Sequence, residues 1–225
     1  MLKQAFCGIC VRSVYLHADE DDACPVCSSS LVVTGPDVEI ETSRATPGPL
    51  IPSDEDLRIT AVNRYDILDT PPDGAFDRIT RLAARIFNVP ISTISIVDHD
   101  RIWFKSKYGI TAEEIDREPG LCASAVLHYD PWIVEDATVD PRALENELVR
   151  GELGLRFYAG VPLKTADGYN LGTLTIIDTE PRTLTDDELD ILKQLGELVV
   201  DEMELRLAAL RVFREAAEKA EPLDA

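Results

Sequence analysis

The sequence predicts an α+β chain in which an antiparallel sheet carries helices on at least one face. Three observations predict it. Apolar residues step by three and four over residues 76–87 and 189–210, the period of amphipathic helices, and a rougher apolar stripe runs over 57–68. Between them, β-branched and alternating runs come in two pairs, each joined by a turn, as hairpins do. Four of the five cysteines form two Cys-x-x-Cys pairs within residues 1–33, a segment too short to build a core of its own.

The elements follow in order. Ser53 is placed to cap a helix, with Asp54, Glu55 and Asp56 in the first turn, where the helix dipole favours negative charge. Leu57, Val62, Tyr65 and Leu68 form its apolar stripe, and the prolines of "DTPPDG" stop it. Phe76, Ile79, Leu82, Ala83, Ile86 and Phe87 carry a second helix that ends at "NVP". "ISTISIV" (91–97) and "IWFKSKY" (102–108) read as a hairpin around "DHDR", followed by a polar connection. "GLCASAVLH" fits a short helix or an irregular segment, "PWIVED" a short strand, and "DPRALENELVRG" a short helix with a loop. "FYAGVPLK" (157–164) and "NLGTLTIIDT" (170–179) form a second hairpin that turns at Gly168. Thr185 and Glu188 make a capping box for the last helix. Its row is Leu189, Leu192, Gly196, Val199, Met203 and Leu207, with Leu210 continuing it.

The chain of 225 residues divides into a cysteine module (1–33), a proline-containing linker (34–52), a patterned domain (53–215) and a tail (216–225). Cys7-x2-Cys10 and Cys24-x2-Cys27 have the spacing of two zinc knuckles. Two intervening residues let both thiolates of a pair face one tetrahedral ion, and the second pair closes the shell. Four thiolates leave no open position, so the expected Zn2+ is structural. A redox dithiol would need a thioredoxin-like βαβ setting, which the pattern lacks. The module resembles a zinc ribbon.

With 42 acidic and 22 basic residues the formal charge is -20. Nucleic-acid binding needs Lys and Arg to displace condensed counterions, so direct contact with DNA or RNA is not expected. The acidity provides solubility, or a surface for a basic protein. No apolar run spans a bilayer and the start lacks a basic-then-apolar leader, so a cytoplasmic protein is expected.

Two long stretches carry a family resemblance. "NRYDILDTPPDGAFDRITRLAARIFNVPISTISIVDHDRIWFKSKYGI" and "FYAGVPLKTADGYNLGTLTIIDTEPRTLTDDELDIL" resemble a GAF domain of the subtype found ahead of diguanylate cyclases and histidine kinases. The resemblance spans about residues 55–208. It implies a six-stranded antiparallel sheet, helices on one face, a ligand pocket on the other, and homodimers through the first and last helices. Free-methionine sulfoxide reductases of this family use several cysteines in the domain, whereas Cys122 is the only one in 53–225. Cys122 is followed by Ala123 and Ser124, without the histidine that often follows a bilin-bearing cysteine.

The expected function is a stand-alone, non-enzymatic sensor. It would bind a small molecule or report redox state, and signal through a partner protein. A GAF-type reductase using Cys122, or a ribbon factor docking on nucleic-acid machinery, is the alternative. Candidate pocket residues are Trp103, Phe104, Cys122, His128, Asp136, Phe157, Tyr158 and Asp178. For Cys122 a small buried hydrophobe is the plain reading, for the aromatics ordinary core, and for Asp98, Asp136 and Asp178 strand-end turn caps. His99 is expected to be solvated. The last helix runs towards Ala217, longer than the sheet needs, and offers a seam for a second chain.

Overall fold

A computed structural model describes the strands at residues 2–7, 12–17 and 32–33, then residues 54–117, 120–143 and 146–220. The chain forms two compact units, Met1–Leu50 and Ile51–Ala225. In the first, β1 (Leu2–Cys7), β2 (Arg12–His17) and β3 (Val32–Val33) form an antiparallel sheet ordered β2-β1-β3. Cys10, Cys24 and Cys27 lie outside the described residues, as does the linker. Of Cys7 only the backbone position, at the end of β1, is described.

The second unit opens with α1 (Glu55–Arg64) and α2 (Gly74–Ile86). Asp73 caps α2 by accepting from Ala75 N at 2.9 Å. Asn88, at φ 49, turns the chain out of α2 into the sheet. The hairpin of β4 (Ile91–Val97) and β5 (Arg101–Tyr108) follows. Next come β6 (Glu114–Asp116), α3 (Leu121–Ala125), β7 (Trp132–Val134) and α4 (Glu147–Arg150). The second hairpin, β8 (Phe157–Lys164) and β9 (Asn170–Asp178), turns at Gly168 with φ +96. The long helix α5 (Asp186–Ala220) closes the chain. Its capping box is intact: Thr185 N donates to Glu188 Oε2 at 2.8 Å, and Glu188 N donates to Thr185 Oγ1 at 3.2 Å.

The six-stranded antiparallel sheet is ordered β6-β5-β4-β9-β8-β7, so the two hairpins meet along β4 and β9. β6 adds an edge strand where the sequence reads as a polar connection. α2 and α5 pack on one face over a core of Phe76, Ala83, Ile94, Ile96, Phe157, Leu174, Leu192 and Val199. Two apolar positions of α2 depart from the expected stripe. Leu82 is 48 % and Ile86 46 % exposed, because Thr80 and Ala84 complete the inward face instead. Leu57 of α1 is likewise exposed, and Arg58 and Ala61 take the inward positions.

A bulge beside Ile94 and Ser95 lets β5 carry one extra residue, Lys105. Its ammonium donates to Thr70 Oγ1 and Pro71 O, both at 2.8 Å. The next residue, Ser106, donates to Asp77 Oδ1 at 2.7 Å. Two successive β5 side chains thereby tie the sheet to α2 and the turn before it. The first turn of α1 is fixed by charge. Glu55 accepts from Arg58 Nη2 at 2.8 Å and from Arg117 Nη1 at 2.5 Å.

Candidate functional site

Residues paired across neighbouring strands share a face of the sheet, and the register sorts the candidate residues. Trp103 pairs with Ile96, and Phe157 with Asp178, so these three candidates lie on the face covered by α2 and α5. Phe104 pairs with Ser95 and Tyr158 with Ile177, so they lie on the other. The eight candidates therefore do not form one constellation. Trp103 and Phe157 are core, and Trp103 and Phe104 also line a cavity of about 290 Å³ beside α2.

The opposite face, beneath α3, is buried yet lined with hydroxyls. Thr93 and Thr175 share a hydrogen bond of 2.6 Å, and Ser95 and Thr173 one of 2.8 Å. The Tyr158 hydroxyl donates to Cys122 Sγ at 3.4 Å. Gly160 makes room for that ring, since a Cβ there would stand 2.6 Å from the Tyr158 hydroxyl. Burial, then the neighbouring Cys122 sulfur, pushes the Tyr158 phenol well above its ordinary pKa. Tyr158 is thus a fixed neutral donor onto the thiol.

His128 stacks on Trp132 with centroids 4.4 Å apart, and the Arg142 guanidinium lies 4.6 Å from the Trp132 ring centre. Trp132 is 8 % exposed, and its indole Nε1 has no hydrogen-bond partner. The same holds for the side-chain oxygen of Asn170, whose Nδ2 donates to Val126 O and His128 O. A buried donor and a buried acceptor are therefore left unsatisfied in the layer holding α3 and β7, each at a cost of about 1–3 kcal/mol.

The two acidic candidates are engaged locally. Asp136 accepts from Thr138 N at 2.9 Å and Thr138 Oγ1 at 2.6 Å, and those bonds lower its pKa. Asp178 pairs with Arg182 at 2.5 Å, and Arg182 reaches Phe87 O and Asn88 O at the end of α2. Both act as clamps. His99 is exposed in its turn.

The sequence reading missed Trp132, Asn170 and the hydroxyl row. The row was legible as alternation: Thr93 and Ser95, then Thr173 and Thr175, occupy every second position of strands whose other face is Ile94, Ile96, Leu174 and Ile176. Nothing in sequence marks a tryptophan N–H as unpaired. Among the described residues, no group of three or more His, Cys, Asp or Glu is placed to hold a metal ion. No described helix is long and apolar enough to cross a membrane.

A family model for the GAF domain matches residues 71–202. A cyclic di-GMP phosphodiesterase of Pseudomonas aeruginosa is 40% identical over 153 residues, 68% of this chain and 26% of that protein. The chain thus spans about a quarter of that relative's length. The expectation of a non-enzymatic protein is corrected here, because the relative bears the name of an enzyme. Among solved structures, the free methionine-R-sulfoxide reductase of Neisseria meningitidis in complex with its substrate superposes with TM-score 0.51 at 16% identity, over 68% of this chain and 92% of that one. The chromophore-binding domain of the bacteriophytochrome RpBphP3 of R. palustris gives TM-score 0.51 at 12% identity, over 71% and 64%. At such identities the likeness is one of fold. With the family model covering more than half of its residues, on a six-stranded sheet of the expected topology, this chain belongs to the GAF domain family.

Proposed function

We propose that the second unit is a sensory module serving cyclic di-GMP phosphodiesterase activity, and that its ligand occupies the layer beneath α3. The observation that carries the ligand reading is the unsatisfied indole N–H of Trp132, a donor kept dry beside His128 and Arg142. A buried donor without a partner is what a ligand acceptor atom would complete. Tyr158 and Cys122 supply a second polar pair on that face, and through the thiol a route for redox state to reach the same layer. The link to cyclic di-GMP rests on the 40% identity with the P. aeruginosa enzyme.

The test is a chimera in which residues 54–217 replace the matching segment of that enzyme. Cyclic di-GMP hydrolysis is measured in the chimera and in its Trp132→Phe version, with small-molecule extracts added. Hydrolysis that responds to an extract, and loses the response with Trp132→Phe, supports the reading. Hydrolysis indifferent to every extract and to the substitution refutes it.

For the first unit we propose structural Zn2+ on Cys7, Cys10, Cys24 and Cys27. The backbone suits this. The hairpin closes at Cys7 paired with Arg12, and β3 pairs with Ala5 and Phe6, which brings the chain back beside β1 after the second cysteine pair. Zinc would tie two chain segments together and supply no chemistry. Native mass spectrometry of the full chain reads the metal: one zinc per chain is expected, and loss of it in Cys24→Ser. The unit is further proposed as a docking surface for a partner protein in the cytoplasm, with pull-down by residues 1–33 as its test.

A further inference from the structure

Among the described residues of the second unit, three basic side chains are buried: Arg58 at 2%, Arg117 at 3% and Lys105 at 3% exposure. Arg58 and Arg117 share the Glu55 carboxylate. Lys105 has no carboxylate at ion-pair distance among the described residues. Its ammonium donates to two neutral oxygens, Thr70 Oγ1 and Pro71 O. It also stands 5.5 Å from the centre of the Phe76 ring and 5.9 Å from that of Trp103. Neutral acceptors and ring faces soften a buried charge without cancelling it. Buried charges are ordinarily paired or bound to an ion. Burial accordingly lowers the Lys105 pKa, as it does for an ammonium that lacks a counter-ion.

Lys105 lines the cavity of about 290 Å³ beside α2. An ammonium carries three N–H donors, so one is left after Thr70 and Pro71. Arg81 is a second cation on the same wall, exposed and without an ion pair among the described residues. The acids on that wall are already engaged. Glu113 pairs with Lys107 at 2.5 Å. Asp77 accepts from Ser106 at 2.7 Å, and Ser106 shares a bond of 2.9 Å with Thr80. Asp73 and Arg206, which also act on Lys105, pair with each other. The two charges left over are therefore both positive, in a chain whose net charge is -20.

The remaining wall is partly apolar, with Pro72 and Trp103 in it. The volume stands at the lower end of the roughly 300–1,000 Å³ usual for ligand pockets, so the space suits a small molecule. This cavity is separate from the layer beneath α3. Trp103 lies on the face of the sheet covered by α2 and α5, whereas Tyr158 and Cys122 meet on the other.

We propose that the cavity beside α2 is a second ligand site, for a small monocarboxylate with an apolar body. Its carboxylate sits between Lys105 and Arg81, and its body rests against Trp103 and Pro72. A single negative charge suits this wall, because a dianion would meet Asp77 and Glu113 across the same small space. The Lys105 ammonium already ties β5 to Thr70 and Pro71, in the segment joining α1 to α2. Filling the site therefore fixes that segment further.

The probe is benzoate, titrated into the full chain by calorimetry, with benzamide as its uncharged equal and inorganic phosphate as a bare oxyanion. Benzoate is expected to occupy a single site with a dissociation constant of about 1 mM or below. Benzamide should bind at least about tenfold more weakly, since it lacks the charge. Lys105→Met should weaken benzoate at least about tenfold, and Arg81→Gln about threefold. Circular dichroism checks the fold of both variants. Arg81 is exposed, so its variant reports even where Lys105→Met fails to fold. The place of binding is read in Trp132→Phe, which leaves Trp103 as the only indole of the chain. Its fluorescence should change as benzoate saturates. No saturable binding up to about 10 mM overturns the proposal. So does benzamide binding as well as benzoate, phosphate binding more tightly than benzoate, an affinity indifferent to Arg81→Gln, or saturation that leaves Trp103 fluorescence unchanged.

Discussion

Replacing Glu55 by Gln removes a carboxylate shared by Arg58 and Arg117, and the consequence can be worked from the geometry. Glu55 contacts Arg58 through both oxygens at 2.8 Å and Arg117 at 2.5 Å. Arg58 is 2% and Arg117 3% exposed. Burial alone would raise the Glu55 carboxyl pKa. The hydrogen bonds of Arg58 and then Arg117 overcome it and hold the group at about 2, against 4.5 ordinarily. At about 1.4 kcal/mol per pH unit, that depression contributes about 3 kcal/mol to folding at neutral pH. The folded-state pKa is the lower one, so the contribution is complete above pH 4.5 and is lost as pH falls towards 2. By pH 3 roughly 2 kcal/mol of it should be gone. Glu55→Gln should therefore cost about 3 kcal/mol at pH 7, as both buried guanidinium groups lose this carboxylate. The gap between wild type and variant should shrink to about 1 kcal/mol at pH 3. Urea unfolding followed by circular dichroism at both pH values measures it. Taking the difference between the proteins cancels the other carboxylates. An equally stable variant at pH 7, or a gap that stays constant with pH, would refute the assignment of Glu55 as the counter-ion anchoring α1.

Other positions give predictions of the same kind. A Cβ at Gly172 would lie 1.8 Å from Ser95 O across the β4–β9 ladder, so Gly172→Ala should cost more than about 3 kcal/mol or fail to fold, read by soluble yield and thermal melting. Lys105 is 3% exposed, and burial, reinforced by Arg206, lowers its pKa. Its folded pKa being the lower one, it should make the protein more stable as pH rises towards 10.5, and Lys105→Met should abolish that rise in alkaline melting curves. Asp178→Ala strands Arg182 and frees Thr179 N, bonded at 2.7 Å. A loss of about 2 kcal/mol in denaturant unfolding is expected, with the end of α2 the first region to gain hydrogen exchange.

Element type was legible wherever a period held over several turns or a pair of strands. Both hairpins, the capped last helix and α2 emerge from alternation and three-four spacing, because those patterns are imposed by burial of one face. β6 was not legible. Its three residues, Glu114–Asp116, carry no apolar alternation, and they pair with β5 through the backbone and through Arg101 reaching Glu114 at 2.6 Å. Leu82 and Ile86 show the opposite failure. They satisfy a helical stripe in sequence, yet periodicity cannot separate a row that faces the sheet from one that stays exposed beside it. The candidate site divides in the same way. Cys122 and Tyr158 stand out by residue type, and the fold joins them by a hydrogen bond. Trp103 and Phe157 stand out equally and end on the other face, since one strand position decides the side.

That one-position rule also places the candidate sensing layer and the helix layer on the same strand. In β8, Tyr158 turns towards Cys122 and α3, while Val161 turns towards α5. Val161 meets α5 where the helix has no side chain. A Cβ on Gly196 would stand 3.0 Å from Val161 Cγ1, so strand and helix touch almost backbone to side chain. Interiors packed this closely do not absorb a strand movement by compression. A ligand or an oxidised thiol that displaces the buried Tyr158 would press on the strand that also carries Val161. The nearest element on the far side is α5 at Gly196. The shortest path from the buried hydroxyl layer to α5 is then a single strand, with a tyrosine on one face and a valine on the other.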